Sequence, residues 1–318
     1  MASTTKRRAR LTPADTGVRT MELTTITNAV HGEAFGLAIA IYFYLTGLSA
    51  GSFIISTLAY GFGFEKYKPV GKVGVVLATL LLIAAPMFLL AHSGRPLRAW
   101  HLFIYLNATS PISWGSFLLS IYPVNCIIYG FFMFKGNAKM TKTFGLIGIP
   151  LALMVHGYTG FILSFAKAHA LWRSSMMPIL FLVSALVSGV AMMILVTIIK
   201  DKFFSKEGKV NEEVVFGLGK MLFWLLIIDL FLSLSDLAVH YFGELESHES
   251  AYLLLFGAFA PLFVGIETLL GKVFPLVLVS APSMRKVAVY GFAAIIVMLG
   301  IFTMRYNVVM GGEFIPLL

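Results

Sequence analysis

The chain has 318 residues, of which 58% are hydrophobic and only 12% charged, and its mean hydropathy is +0.88. This composition excludes an ordinary soluble domain and places the chain in a lipid bilayer. The formal net charge is +9. We expect the basic residues to interact with membrane lipid rather than with nucleic acid.

Charge-free segments of membrane length recur along the chain, and each supplies the roughly 20 apolar residues that a spanning helix needs. Two further segments, near 214–241 and 252–280, carry internal charges. We therefore predict an all-α polytopic membrane protein with about eight transmembrane helices in a bundle. Residues 26–318 would form this transmembrane domain, and residues 1–25 a polar, flexible tail. The charge-free segments are Ala34–Phe64, Val73–Ala91, Pro111–Phe134, Phe144–Ala166, Ser174–Ile199 and Val287–Met304.

The cations divide between two faces. With eight spans, loops counted from the N-terminus alternate: odd-numbered loops share one face (the odd-loop face), and even-numbered loops and both termini share the other (the even-loop face). Short cationic loops stay in the cytoplasm, so we expect the odd-loop face to be cytoplasmic. The odd-loop cations are Lys66, Lys68, Lys72, Lys135, Lys139, Lys142, Lys200, Lys202, Lys206, Lys209, Lys220, Lys272, Arg285 and Lys286; beyond the tail, the even-loop cations are Arg95, Arg98, Lys167, Arg173 and Arg305. The histidines map to the even-loop side, which is where we expect the chemistry.

Three motifs that contain small residues lie between residues 44 and 161. In "TSPISWGS", Pro111 suits the first turn of a helix, Trp114 suits interfacial depth, and Gly115 with Ser116 permits close approach by a helix or a ligand. In "YLTGLSAGS", the pair Gly47 and Gly51 is typical of a helix contact. Helix packing alone explains these two motifs as well as ligand binding does.

The third motif, "HGYTGF", places His156 and Tyr158 two residues apart in an otherwise apolar helix. Intramembrane polar groups are costly and face a cavity or a partner. The pair is therefore either a packed polar contact or part of a ligand site.

The sixth predicted span carries polar residues on one helical face. Asp229, Ser233, Asp236 and His240 are spaced 4, 3 and 4 apart, so they form a stripe about 16 Å long. Glu267 in the next span is a further candidate, and Lys220 lies near the opposite end. The stripe predicts either a closed salt-bridge cluster or a proton path between the two faces.

Two redox cofactors can be weighed from the sequence. The single cysteine, Cys126, cannot supply the thiolates of an iron–sulfur cluster. A b-type haem would need two facing histidines, and no predicted span carries a stacked pair. The sequence predicts no haem, no iron–sulfur cluster and no other metal site in this chain.

The motifs together resemble the NrfD/PsrC family, the membrane subunits of polysulfide-reductase-like oxidoreductases. The resemblance rests on "YLTGLSAGS", "SGRPLRAWHLF", "TSPISWGS", "HGYTGFIL" and "RYNVVMGG", in order from about Tyr42 to Gly312. It implies an eight-helix subunit that binds quinone (menaquinone or ubiquinone) as a substrate. It also implies electron exchange with a ferredoxin-like iron–sulfur subunit, which is often attached to a molybdopterin or other catalytic subunit.

The resemblance also implies site residues. The family's Tyr-x-Gly motif maps to Tyr158 and Gly160. Tyr42 stands where a family member has histidine, and Ile39 where it has asparagine. Together with the residue patterns above, this gives a predicted quinone-binding set of Tyr42, Gly47, Trp114, His156, Tyr158 and Gly160. The predicted partner-docking set, at the same membrane edge, is Arg95, Arg98, His101 and Arg173. If the stripe on the sixth span is a proton path rather than a salt-bridge cluster, the path comprises Asp229, Ser233, Asp236, His240, Glu267 and Lys220.

Three functions remain open at this point. The first is a quinone-reactive subunit of a respiratory oxidoreductase in the cytoplasmic (inner) membrane of a bacterium or archaeon, with no terminal-substrate catalysis by this chain alone. The second is a secondary transporter, which would share the small-residue seams and midplane carboxylates. The third is a haem-b membrane anchor.

Overall fold

A computed structural model describes residues 35–107, 109–166, 168–204 and 209–314. The predicted tail, residues 1–25, lies outside these ranges. Within them, eight helices are long and apolar enough to cross a membrane, so the prediction of an eight-span helical bundle is confirmed. The helices are α1 (Leu37–Tyr60), α2 (Lys68–His92), the short α3 (His101–Ile104), α4 (Pro111–Phe134), α5 (Ala138–Ser164), α6 (Met177–Phe203), α7 (Glu212–Tyr241), α8 (Leu245–Leu255), a π-helix (Pro261–Val273) that continues into α9 (Phe274–Ser280), and α10 (Val287–Phe314).

Local sequence explains several helix starts. Pro111 opens α4, where its missing N–H removes no helical hydrogen bond. Asn137 caps α5 by accepting a hydrogen bond from the Met140 N–H at 3.1 Å, and Asn211 caps α7 in the same way.

The segment predicted as one span over 252–280 is two elements. Helix α8 ends at Leu255, and the membrane-length helix begins at Pro261. The seventh span is therefore present, but it begins at Pro261 rather than near residue 252, because Gly257 and Pro261 interrupt a continuous apolar run, and glycine and proline both disfavour an unbroken helix.

The helices pack as two groups. Helices α1, α2, α4 and α5 contact one another, and α6, α7, α9, α10 and the π-helix form the second group. Helix α1 packs on α6, and a Cβ atom on Gly51 would lie 2.6 Å from the Cα of Gly189. The first group's even-loop end holds one candidate site, and the second group's interior holds another.

Two cations lie deeper than the loop count predicted. Lys272 and Arg305 are 1% and 0% exposed, inside the seventh and eighth spans rather than at the membrane faces. Both placements were wrong because counting charges by loop treats a cation near the end of an apolar run as a boundary residue.

Candidate functional site

A cavity of about 680 Å³ opens at the even-loop end of the first helix group. It lies between α1, α2, α4 and α5, and residues of the loop that follows α2 form part of its wall. Its wall is largely apolar, with a few polar groups, which is the usual construction of a small-molecule site of this size. We call it the tyrosine cavity; the lining residues that matter below are Tyr42, Tyr158, Gly115, Ser116, Arg95 and Arg98.

Tyr158 reaches the cavity because residue 115 is a glycine. A Cβ atom on Gly115 would lie 2.0 Å from Cζ and 2.1 Å from the hydroxyl oxygen of Tyr158. These distances are far below van der Waals contact, so no larger residue fits beside this phenol. The small residues of "TSPISWGS" therefore make room for the tyrosine of "HGYTGF".

Tyr42 is the second phenol of the cavity. Its side chain is 2% exposed, and among the described residues its hydroxyl has no hydrogen-bond partner. Both Tyr42 and Tyr158 line the tyrosine cavity. A buried hydroxyl without a partner is costly, so two phenols in the wall of an apolar cavity suit a ligand with hydrogen-bond acceptors.

The second loop forms part of the cavity wall. Arg95 and Arg98, predicted to dock a partner, both line the tyrosine cavity, and so does His92. Of the other two predicted docking residues, His101 packs its ring 4.1 Å from that of Trp100. Arg173 forms an ion pair with Glu244, outside the cavity.

The remaining predicted quinone residues lie outside the cavity lining. Trp114 is 61% exposed on α4. Gly160 lies where α5 crosses the start of α6, since its Cβ would lie 2.6 Å from the Met177 carbonyl oxygen. His156 is fully buried beside Gly47. A Cβ atom added to Gly47 would lie 3.1 Å from Nε2 of His156. Residues two apart on a helix point to different sides, so the His156 side chain does not face the cavity that Tyr158 lines.

The second candidate site is a buried ionic cluster in the second helix group. The Lys272 ammonium lies 3.0 Å from the Asp229 carboxylate and 3.2 Å from that of Glu267. It donates a hydrogen bond to the Ser233 hydroxyl at 2.6 Å, and the Asn307 amide donates to the other Glu267 oxygen at 2.8 Å. All three charged side chains are at most 2% exposed, so each depends on the others for compensation.

A small cavity links this cluster with the even-loop end of α7. Its volume is about 30 Å³, and Ser233, Asp236, His240, Glu267 and Asn307 contribute to its wall. That volume is enough for a water molecule with several polar partners. At the far end, Asp236 accepts a hydrogen bond from the Ser174 hydroxyl. We call the whole arrangement the polar column: Lys272, Asp229, Glu267, Ser233, Asn307, Asp236 and His240.

The polar column occupies the even-loop half of the second group only. Toward the odd-loop face, the buried positions of α7 before Asp229 and of α10 between 287 and 301 carry glycine, apolar side chains or Tyr290. Lys220, predicted as part of the path, is exposed on α7 and lines a different cleft. The structure thus brings together the four stripe residues and Glu267, but not Lys220.

Arg305 is fully buried on α10, where it packs against α6, and the predicted site residues included neither it nor Lys272 nor Asn307. Its guanidinium donates hydrogen bonds to the Phe181 carbonyl at 2.9 Å and the Ser184 hydroxyl at 2.7 Å. It is close enough to Asp229, Glu267 and His156 for its charge to act on each of them. The motif "RYNVVMGG" contains Arg305 and Asn307, and the position of Lys272 five residues after Glu267 was the other available signal.

Comparison with known proteins assigns a family. Residues 25–316 match the family model described as "Polysulphide reductase, NrfD". The chain is 28% identical to a selenate reductase subunit of Mesobacillus selenatarsenatis, over 89% of this chain and 75% of that protein. It is also 28% identical to the Hdr-like menaquinol oxidoreductase integral membrane subunit of Archaeoglobus fulgidus (86% and 69%) and to a polysulfide reductase chain of Wolinella succinogenes (86% and 93%).

Proposed function

Because the chain belongs to the NrfD family, whose named members are membrane subunits of oxidoreductase complexes, we propose that it binds the headgroup of a quinone or quinol in the tyrosine cavity. In this proposal the chain is the quinone-reactive subunit of a respiratory complex and carries no terminal-substrate chemistry of its own. Electrons pass to or from an iron–sulfur subunit that docks on the even-loop face.

The observation that carries this proposal is that two phenols, Tyr42 and Tyr158, line one largely apolar cavity. A quinone headgroup is a flat apolar ring with two carbonyl oxygens, which are hydrogen-bond acceptors. The hydroxyl of Tyr42 has no partner among the described residues, and the ring of Tyr158 fills the space that Gly115 leaves open. The residues present therefore fit this ligand, with each phenol donating a hydrogen bond to a carbonyl.

Reduction of a quinone takes up two electrons and two protons, and oxidation of a quinol releases them. Tyr42 and Tyr158 hold the oxygens at which those protons are exchanged, and the apolar wall of the cavity keeps bulk water from the ring. His92, Arg95 and Arg98 line the same cavity, so they connect the phenols with the even-loop surface. We assign to these three residues the orientation of the headgroup and proton exchange with water.

The polar column supports a second part of the proposal. Asp236 and His240 lie at the even-loop end of α7 and share a small polar cavity with Glu267. Glu267 in turn contacts Lys272, and Arg305 is close enough to Asp229 and Glu267 for its charge to act on both. We propose that protons enter the column from the even-loop side and reach Lys272, where the buried residues of α7 and α10 become apolar. The column is then half of a transmembrane path.

The partner assignments follow from the family and the charges. We propose a ferredoxin-like iron–sulfur subunit with acidic groups that face the even-loop cations Arg95, Arg98, His101 and Arg173, and a molybdopterin or other catalytic subunit attached to it. A single cysteine leaves the clusters to that partner. One relative is named for menaquinol, which favours menaquinone over ubiquinone as the substrate. The cationic odd-loop face would be cytoplasmic in a bacterial or archaeal membrane.

Purification of the tagged chain in mild detergent tests this proposal, with mass spectrometry of its partners, quinone extraction and an optical spectrum. We expect an iron–sulfur subunit, bound quinone and no haem bands. A chain that is isolated alone without quinone would favour a transporter, and haem bands would favour a haem anchor. Either result would overturn the proposal.

A further inference from the structure

A cleft on the odd-loop side of the second helix group is built differently from both candidate sites. Its volume is about 570 Å³, and it lies between the first half of α7, the end of α9 and the start of α10. We call it the Lys220 cleft; the residues of its wall used here are Phe216, Lys220, Trp224, Ser280, Arg285 and Tyr290.

Two cations face this cleft, Lys220 and Arg285, and no acidic residue is among those that line it. The guanidinium of Arg285 lies over the Phe216 ring at 4.7 Å from its centroid, which fixes its position while leaving it exposed. Lys220 is also exposed. Among the described residues, neither forms an ion pair within 4.0 Å.

The depth of the cleft matches the headgroup region of a bilayer. Helix α7 has 30 residues, about 45 Å at 1.5 Å per residue, whereas the hydrocarbon core is about 30 Å thick. Counting about 30 Å back from the even-loop end of α7 reaches Lys220. Trp224, one turn deeper, is 57% exposed, as is typical of aromatic residues at the membrane interface.

We propose that the Lys220 cleft binds an anionic phospholipid, with its phosphate between Lys220 and Arg285. Charge complementarity identifies the headgroup, because basic pockets between transmembrane helices suit anionic lipids. The exposed apolar face of α7 below Trp224, which includes Ile228 and Phe231, receives the acyl chains. This site also gives a role to Lys220, which is exposed on α7 and lies apart from the polar column. The proposal is independent of the quinone chemistry.

Native mass spectrometry of the full chain with added lipid tests this site. We expect phosphatidylglycerol to bind about 10- to 30-fold more strongly than phosphatidylcholine, from two cations that act near the membrane surface. The double variant Lys220→Gln/Arg285→Gln should lose this preference, and Lys220→Arg/Arg285→Lys should keep it. The matched control Lys139→Gln/Lys142→Gln removes two exposed cations from the same face and should leave the preference unchanged.

Three results would overturn the proposal. One is an unchanged lipid preference in the Lys220→Gln/Arg285→Gln variant. Another is an equal loss in the Lys139→Gln/Lys142→Gln control, which would mean that only the overall surface charge matters. The third is displacement of phosphatidylglycerol by millimolar inorganic phosphate, because that would identify the ligand as a soluble anion rather than a lipid.

Discussion

The replacement of Gly115 by alanine tests the tyrosine cavity through a single methyl group. In the present structure that methyl would lie 2.0 Å from Cζ and 2.1 Å from the hydroxyl oxygen of Tyr158. Non-bonded carbon atoms approach only to about 3.5 Å, so the phenol must withdraw by about 1.5 Å. The backbone of α4 gains helix propensity from the change, by about 1 kcal/mol.

The magnitude follows from the geometry of the hydrogen bond. An O–H···O bond of about 2.8 Å that lengthens by about 1.5 Å is lost, which costs roughly 1.4–2.8 kcal/mol. We therefore expect kcat/KM for a water-soluble quinol analogue to fall by about 10- to 100-fold. The fold should survive, since only one side chain has to move.

The assay is quinol oxidation by the purified complex, with thermal unfolding as the test of integrity. Gly157→Ala is the matched control, because no atom lies within 4 Å of a Cβ at that position, and it should leave kcat/KM unchanged. Tyr158→Phe should cause a similar loss, and the double variant Gly115→Ala/Tyr158→Phe should be no worse than either single change. Unchanged quinol kinetics in Gly115→Ala would refute the assignment of Tyr158.

Three further predictions concern single side chains. Tyr42→Phe should lower quinol turnover without lowering the melting temperature, because its hydroxyl has no partner among the described residues; a lower melting temperature would point to a structural role. Lys272→Met should destabilise the subunit by about 3–5 kcal/mol, since it leaves two buried carboxylates uncompensated, whereas the exposed Lys220→Met should cost little; equal melting curves for these two variants would contradict the cluster. Asp236→Asn should slow proton uptake coupled to quinone turnover without lowering quinone affinity, and unchanged proton kinetics would instead indicate a purely structural column.

Much of the fold could be predicted from the lengths of the apolar segments and from a few residues that mark helix ends. The segment Pro111–Phe134 coincides with α4 because a proline at the first turn and a lysine just after the last turn bound an uninterrupted apolar run. The segment 252–280 was misjudged because hydropathy alone does not register a break at Gly257 and Pro261. Composition therefore predicts spans better than it predicts the irregular connections between them.

The candidate site was only partly readable. Tyr158 and Gly115 were each identified, but not as a contacting pair, because that depends on how α4 packs against α5. Trp114 and His156 were grouped with them by nearness in sequence, although on a helix adjacent residues point in different directions.

The ionic cluster shows a different limit. The spacing of 4, 3 and 4 predicted the face of α7 on which Asp229 lies, but not the partner of that carboxylate. Glu267 and Lys272 are five residues apart and contact each other in a π-helical segment. In an α-helix of 3.6 residues per turn, residues five apart do not share a face, so the pair could not be read from ordinary periodicity.

The most direct test of the account is an electron cryo-microscopy map of the purified complex with a bound quinone analogue. We predict headgroup density in the tyrosine cavity, with one carbonyl oxygen within hydrogen-bond distance of the Tyr158 hydroxyl and the other near Tyr42. Headgroup density elsewhere, such as against the polar column or outside α4 beside Trp114, with the tyrosine cavity lacking quinone, would contradict the central claim.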